Sequence, residues 1–287
     1  MKRGRDLTTA RSWDSPEEDH CETPEGAYRD IEPLLFKLSR LLGKKGKDEL
    51  NIYDPFFCEG AVRDHLNSLG FPNVHNVPED FYEVQREGRI PTHDVLVTNP
   101  PFSGDHIASL LNFARLGNEK RPFMALLPNW VCNKQYFTSV FPRAAPVFFV
   151  VPREPYRFWA PGRREKKIQG RFVLPKAKGK EFHCIWFCSF ADHHDEVVRW
   201  FSKWQEKRSK SKGKGSGPPT CQIALTAGDL PKPSRPTKRP NPRQRKAMAK
   251  KLKHKTTRGQ SQGVGIRMWE TRTRFAITRG FLPRPLC

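Results

Sequence analysis

Short apolar segments alternate with amphipathic segments between residues 50 and 203, and this alternation restricts the fold more than any other feature of the sequence. Strands that alternate with helices form a parallel sheet with right-handed crossover connections. We predict seven strands, at residues 50–53, 73–77, 80–82, 94–98, 123–127, 146–151 and 182–190. We predict a first helix that follows Thr23-Pro24 and ends at Gly43, with apolar residues at helical spacing over residues 31–42. Further helices are predicted at residues 59–69 and 105–115, and residues 192–203 begin a last helix. Because no clear helix separates the last two strands, we expect them to form an antiparallel hairpin.

The basic charge of the chain is concentrated in its last third. The whole chain has 52 Lys and Arg against 30 Asp and Glu, a net charge of +22. Residues 205–287 hold 22 of the basic residues and three of the acidic ones, a net charge of +19. We therefore expect a flexible N-terminus at residues 1–20, a folded domain at residues 21–204 with the charge balance of a soluble enzyme, and a largely disordered basic tail at residues 205–287 that binds polyanions.

Cysteine usage and hydropathy predict an intracellular protein. The seven cysteines are scattered and odd in number, which argues against a disulfide framework, and no paired Cys/His spacing predicts a metal site. Acidic residues near the N-terminus argue against a transit peptide, and no apolar run approaches the roughly 20 residues that cross a bilayer. We expect no membrane association. The basic tail would suit a nuclear or nucleolar protein.

A turn with the sequence Asp-Pro-Phe-Phe-Cys-Glu-Gly, at residues 54–60, joins the first predicted strand to the next helix. Open α/β sheets bind nucleotides at such turns. Gly60 would let a ligand approach the backbone, and the helix behind it would point N–H groups at the ligand. The turn has no phosphate-binding Lys, so it does not look built for ATP. An ordinary strand–turn–helix connection is the alternative interpretation.

The sequence Asn-Pro-Pro-Phe, at residues 99–102, directly follows the buried strand predicted at residues 94–98. Two prolines end the strand and fix Asn99 and Phe102 at the carboxyl edge of the sheet. The Asn99 side-chain carbonyl and the Pro100 backbone carbonyl could together accept both hydrogens of an –NH₂ group, and Phe102 could stack on a planar ring. Taken alone, the motif favours a simpler interpretation, a strand terminator with a core Phe.

Three motifs occur in an order that resembles the class I S-adenosylmethionine-dependent methyltransferases that modify amino nitrogens. Such enzymes carry (Asn/Asp/Ser)-Pro-Pro-(Tyr/Phe) after the fourth strand, and adenine-N6 members add an Asp-Pro-Phe-x-Gly-x-Gly-like turn and an upstream Thr-Pro. This chain has Thr23-Pro24, then residues 54–60, then residues 99–102. The resemblance covers residues 21–204. It implies a Rossmann-like α/β fold, a mostly parallel seven-stranded sheet with a C-terminal antiparallel hairpin, and S-adenosyl-L-methionine as the cofactor.

The resemblance also implies which residues hold that cofactor. Thr23 would contact the methionine carboxylate, and Asp54 would hold the methionine amino group. Asp80 would accept a hydrogen bond from the adenine amino group, with Phe81 packed on the adenine ring. The implied cofactor-binding residues are Thr23, Asp54, Phe56, Cys58, Gly60, Asp80 and Phe81.

The implied catalytic residues are Asn99, Pro100, Pro101 and Phe102. Because a sulfonium methyl group is already activated, the enzyme mainly supplies alignment. Hydrogen bonds from the target –NH₂ to Asn99 and Pro100 would make the nitrogen more nucleophilic and disperse the positive charge that develops on it. If the target is a base, it must be unpaired or flipped, with Phe102 replacing the lost stacking.

Basic and aromatic residues are interleaved between the last two predicted strands. This pattern suits a nucleic-acid groove, with charges on phosphates and rings on bases. Together with the basic tail it predicts a nucleic-acid substrate, with RNA slightly favoured over DNA because looped bases are accessible without duplex opening. The resemblance implies that the methylated atom is adenine N6. A solvated hairpin with core aromatics is the alternative. The candidate substrate-binding residues are Arg153, Tyr156, Arg157, Phe158 and Trp159.

Two other functions stay open. The same Asn-Pro-Pro chemistry serves protein glutamine-N5 methyltransferases, although the basic tail implies a polyanionic partner. A catalytically inactive nucleic-acid-binding protein on a methyltransferase fold is the other, because the glycine loop is reduced to Gly60 alone. The acidic residue that binds the ribose at the end of the second strand in this family has no obvious counterpart, and Asn76 or Glu79 could substitute for it.

Overall fold

A computed structural model of the chain describes residues 21–142, 145–160, 171–177, 180–210 and 219–230. All of them belong to one compact unit, residues 1–233. The described strands are β1 (Ile52–Tyr53), β2 (Val74–His75), β3 (Val95–Thr98), β4 (Phe123–Pro128), β5 (Phe148–Pro152), β6 (Phe158–Ala160), β7 (Arg171–Val173), β8 (Lys176–Ala177), β9 (Lys180–Glu181), β10 (Cys184–Ser189) and β11 (Cys221–Ala224). The described α-helices are α1 (Glu25–Leu41), α2 (Ala61–Ser68), α3 (Phe81–Arg86), α4 (His106–Asn112), α5 (Gln135–Val140) and α6 (His194–Lys210).

Seven of these strands form one sheet, in the order β11-β5-β10-β4-β3-β1-β2. The strands from β1 to β5 run in one direction, and β10 and β11 run against them. Two antiparallel pairs, β6 with β7 and β8 with β9, lie between β5 and β10 in the chain. The fold is therefore α/β with a mostly parallel seven-stranded sheet, as the strand–helix alternation predicts. The antiparallel pairing expected for the last two predicted strands is confirmed between β5 and β10.

Helices cover both faces of the sheet. Leu34 of α1 and Phe201 of α6 belong to the hydrophobic cluster on one face, and Leu110 of α4 belongs to the cluster on the other. Successive residues of β3 alternate between the two clusters, since Val97 lies in the first and Leu96 in the second. A strand buried on both faces has to be apolar at every position, which explains why the central strands are continuous apolar runs.

The strand predicted at residues 80–82 is wrong, because the chain forms α3 there. The Asp80 side chain accepts a 2.9 Å hydrogen bond from the backbone N–H of Tyr82, which caps the helix. Phe81 and Val84 are both buried, at a helical spacing of three residues. Two aromatic residues flanked by acidic residues are compatible with a strand or with a helix. The cap by Asp80 and the burial of Val84 on the same side as Phe81 favour the helix. Strand β2 consequently lies at the edge of the sheet.

The seventh strand comes from residues beyond the predicted domain boundary at residue 204. Strand β11 pairs antiparallel with β5, with Ile223 opposite Val150. Gln205 of α6 holds this strand: its Nε2 donates to the Cys221 carbonyl at 3.2 Å, and its Oε1 accepts from the Ile223 N–H at 3.1 Å. The described fold therefore extends to Leu230. Flexibility is also predicted for residues 1–20 and for the basic tail. Residues 1–20, and residues 211–218 and 231–287 of that tail, lie outside the described residues.

Candidate functional site

The two motifs expected to form one site lie at the ends of neighbouring strands. Tyr53, the last residue of β1, pairs in parallel register with Leu96 of β3. Asp54 and Asn99 therefore leave the sheet at the same carboxyl edge, where open α/β sheets bind ligands. The Thr98 hydroxyl donates a 2.6 Å hydrogen bond to Asp54 Oδ1, which ties the two turns together.

Asp54 is a buried carboxyl group, with 5% of its surface exposed. The pKa of Asp54 is raised to about 7, chiefly by burial and to a smaller extent by the negative charge of Glu22, while hydrogen bonds from Thr98 and the Phe56 backbone act to lower it. Among the residues that the structure describes, no basic side chain forms a salt bridge with Asp54. A cationic group of a ligand beside this carboxylate would supply the missing charge and lower its pKa.

Two buried amide oxygens at this edge, Asn76 Oδ1 and Asn99 Oδ1, have no hydrogen-bond partner within the described ranges. Asn76 directly follows β2, and its Nδ2 donates a 3.1 Å hydrogen bond to the Asp54 carbonyl. A buried acceptor without a donor costs about 1–3 kcal/mol, so a ligand that brings N–H or O–H groups would recover this free energy. We call Asp54, Asn76, Thr98 and Asn99 the polar cluster.

Glu22 shapes the turn after β1, and no sequence motif identifies this residue in advance. Its Oε1 accepts hydrogen bonds from the backbone N–H groups of Glu59, at 2.6 Å, and Ala61, at 3.5 Å. A carboxylate thus already caps the first turn of α2, where a nucleotide-binding turn would receive a phosphate. Gly60 has a φ of +88°, and a Cβ atom there would lie 3.1 Å from the Phe57 ring. This turn therefore suits a ligand that brings no phosphate to α2.

Glu22 also connects this turn to the basic-aromatic segment. Its backbone forms two hydrogen bonds with Trp159 of β6, at 2.7 and 3.1 Å. Thr23 is the next residue and is 4% exposed, and α1 begins two residues later. The segment that carries the predicted cofactor residue Thr23 is thus held between the turn after β1 and β6.

The other predicted cofactor residues line the turn or support it from behind. Phe56 and Cys58 are half-buried within the turn. Phe81 is 1% exposed, and its ring centroid lies 5.3 Å from that of Phe56 and 5.1 Å from that of Phe113. Phe81 therefore belongs to the core beneath Phe56, and the Asp80 carboxylate caps α3.

The predicted substrate-binding residues divide into core and surface. Phe158 is 1% exposed and Tyr156 is 8% exposed, with the Tyr156 hydroxyl donating to the buried carboxylate of Asp30. These two aromatics fill the core, in line with the alternative interpretation of the segment. Arg153 and Arg157 are exposed and Trp159 is half-buried, so these three remain available at the surface.

A row of half-buried rings continues from the Asn-Pro-Pro-Phe motif along the carboxyl edge. The Phe102 ring lies 6.0 Å from that of Phe182, which lies 6.2 Å from that of Trp130, both edge to face. The Lys134 ammonium lies 5.2 Å from the Trp130 ring centroid. We call Phe102, Phe182 and Trp130 the aromatic row. Sequence reasoning missed Phe182, which joins the row because the antiparallel strand β10 starts at the edge where β4 ends.

No protein-family model matches the chain, and no curated protein matches its sequence. In the part of the chain that the structure describes, no group of three or more His, Cys, Asp or Glu residues is placed to hold a metal ion. Within the same ranges, no helix has the length and apolar character to cross a membrane.

Proposed function

We propose that this chain is an S-adenosylmethionine-dependent methyltransferase that acts on an exocyclic amino nitrogen, with adenine N6 in nucleic acid as its target and RNA preferred over DNA. The observation that carries the proposal is the polar cluster. The buried carboxyl group of Asp54 and the buried Asn99 Oδ1, which has no hydrogen-bond partner among the described residues, lie at the ends of adjacent parallel strands. The first fits the cationic amino group of a cofactor, and the second fits the –NH₂ group of a target.

The residues around Asp54 fit the cofactor in charge and shape. When bound, S-adenosylmethionine supplies a methyl group that is already activated for transfer. Asp54 would pair with its amino group, since Asp54 has no salt bridge to any described residue. Asn76 Oδ1 is available as an acceptor for a ribose hydroxyl. Glu22 occupies the first turn of α2, which agrees with a cofactor that lacks phosphate groups.

The residues around Asn99 would align the target nitrogen. Asn99 Oδ1 and the Pro100 carbonyl would accept its two hydrogens, which turns the nitrogen lone pair toward the methyl group and disperses the positive charge that develops. Phe102 is half-buried at the start of the aromatic row, so it can stack on a base that has left its duplex. The target nitrogen would become positively charged on methylation and would lose one of its two protons to water afterwards, so no general base is required among these residues before the transfer.

Methyl transfer from labelled S-adenosylmethionine to RNA and DNA oligonucleotides tests this proposal with the full-length chain. We expect label in N6-methyladenine after digestion to nucleosides. We expect Asn99→Ala to lower kcat by about 100-fold with cofactor affinity unchanged, since it removes an interaction made in the transition state. Ser139→Ala is a matched control, because Ser139 is an exposed residue of α5.

Three results would point elsewhere. Label that appears in protein and resists nuclease would favour the glutamine-N5 alternative. An unchanged rate in Asn99→Ala would remove the role assigned to Asn99. Oligonucleotide binding without any cofactor binding would favour an inactive nucleic-acid-binding protein on this fold.

A further inference from the structure

We propose that the aromatic row and Lys134 bind the nucleotide next to the methylated one, so that the substrate is a single strand longer than one nucleotide. This inference rests on the proposed function, in which Phe102 stacks on the target base. It adds a second subsite, formed by Phe182, Trp130 and Lys134. None of these three residues belongs to the motifs from which the function was inferred.

The aromatic row is built from three separate elements that meet at one edge. Phe102 belongs to the turn after β3, Trp130 to the turn after β4, and Phe182 lies two residues before β10. Each ring is half-buried, whereas the core rings of the neighbouring strands, such as Phe187, are 0% exposed. Part of each ring is therefore exposed at the edge of the sheet, and the row begins at the residue that would hold the target base.

Lys134 adds a positive charge at the far end of the row. Its side chain is exposed, and its ammonium lies 5.2 Å from the Trp130 ring centroid. No acidic side chain of the described residues forms a salt bridge with it. Lys134 and Trp130 thus place a cation beside an aromatic ring in the same row as Phe102. A nucleic-acid strand repeats a flat base and an anionic phosphate, so it can bind both groups. A glutamine side chain in a peptide has neither group.

The position of the row explains why the neighbouring nucleotide must be unpaired. A base that stacks on Trp130 or Phe182 has to leave the stack of its own duplex, as the target base does. We therefore expect single strands or loops to bind this subsite, and a fully paired duplex of the same sequence to bind it weakly.

A length series of substrates tests the subsite with the full-length chain. We compare adenosine with a hexanucleotide that contains one adenine, in wild type, Trp130→Leu and Trp130→Phe. We expect Trp130→Leu to raise KM for the hexanucleotide by about tenfold, because stacking on one ring contributes about that much. The KM for adenosine and the Kd for S-adenosylmethionine should stay within about twofold. Trp130→Phe should restore most of the loss, since it keeps a ring. An equal rise in KM for both substrates would overturn the proposal.

The charge is tested separately by Lys134→Ala against the control Lys203→Ala, an exposed lysine on α6. We expect Lys134→Ala to reduce the slope of log KM against log salt by about 0.7, the value for one contact to a single-strand phosphate. The control should leave the slope unchanged. Equal changes in both variants would show general attraction and would overturn the role of Lys134.

Direct binding of a labelled hexanucleotide, measured by fluorescence anisotropy, separates this inference from the proposed function. If the chain binds no cofactor but Trp130→Leu still weakens oligonucleotide binding by about tenfold, the proposed function fails and the subsite stands. If methylation proceeds but a glutamine peptide, and not the hexanucleotide, competes for the site, the subsite fails and methyl transfer stands.

Discussion

The carboxyl edge of the sheet has two halves that are built differently. At the ends of β1, β2 and β3, Asp54, Asn76 and Thr98 of the polar cluster are buried and joined by hydrogen bonds to Asp54. At the ends of β3 and β4, the aromatic row is half-buried and meets solvent at Lys134. A buried charge requires one partner of fixed sign and position, whereas an exposed ring accepts any flat group. We infer that the first half determines which cofactor binds, and the second determines which kind of substrate does.

The largest expected effect is on the cofactor side, in Asp54→Asn. Loss of the carboxylate should weaken S-adenosylmethionine binding by about 100-fold, because a buried charge pair is removed. The same change should raise the free energy of unfolding at pH 8 by about 2–4 kcal/mol, because it removes a buried carboxylate whose pKa burial raises to about 7. Calorimetry and urea denaturation measure the two effects. Asp64→Asn, an exposed residue of α2, should change neither.

The sign of the pH dependence follows from the same pKa. The folded-state pKa of Asp54 is about 7, above the value of 3.8 that is usual for Asp. Protonation of Asp54 therefore stabilises the folded state fully below about pH 4, and this stabilisation is lost as pH rises through 7. Cofactor binding requires the charged form and should change in the opposite direction. We expect affinity to fall about tenfold for each pH unit below 7, and to level off above it. Titrations from pH 5.5 to 8.5 measure this profile, and a flat profile would separate Asp54 from the cofactor.

Thr98→Val should move the midpoint of that profile upward by up to about one pH unit. The Thr98 hydroxyl donates to the Asp54 carboxylate and lowers the pKa of Asp54, so its loss leaves the charged form less stable. At pH 7 this corresponds to several-fold weaker cofactor binding. Thr92→Val, at an exposed position before β3, provides the control. A midpoint that moves downward would contradict this account.

Glu22→Gln should move the midpoint in the other direction by a few tenths of a unit, the smallest effect. The glutamine amide keeps an oxygen that can accept from Glu59 and Ala61, while the negative charge that raises the pKa of Asp54 is lost. Affinity at pH 6.5 should rise slightly. Glu22→Ala separates the effect of the Glu22 charge from that of its hydrogen bonds. It removes the hydrogen bonds to the start of α2 as well as the charge, so it should weaken cofactor binding at every pH. Neither Glu22→Gln nor Thr98→Val should alter the effect of Trp130→Leu on the oligonucleotide.

Much of the sheet could be predicted from the sequence, because apolar runs at β3, β4, β5 and β10 are buried on both faces whatever their partners. Strand β11 could not, since Cys221–Ala224 is short and lies in a basic region, and its place depends on Gln205 and β5. The strand predicted at residues 80–82 is wrong because two adjacent aromatic residues fit the two-residue period of a strand as well as the 3.6-residue period of a helix. The sequence predicts Tyr156 as a substrate-binding residue with a core aromatic as the alternative, and the alternative is the one observed, because the Tyr156 hydroxyl donates to the buried Asp30 carboxylate.

The candidate site divides in the same way. The sequence by itself determined the α/β class and placed Asp54 and Asn99 at strand ends, because a local apolar run followed by proline ends a strand wherever it lies. Only the tertiary structure decided that β1 and β3 are direct neighbours, that burial raises the pKa of Asp54, that Glu22 closes the turn, and that Phe182 lies between Phe102 and Trp130. The physical reason is distance along the chain: strand ends are set by neighbouring residues, while burial and long-range contacts exist only after distant segments have packed.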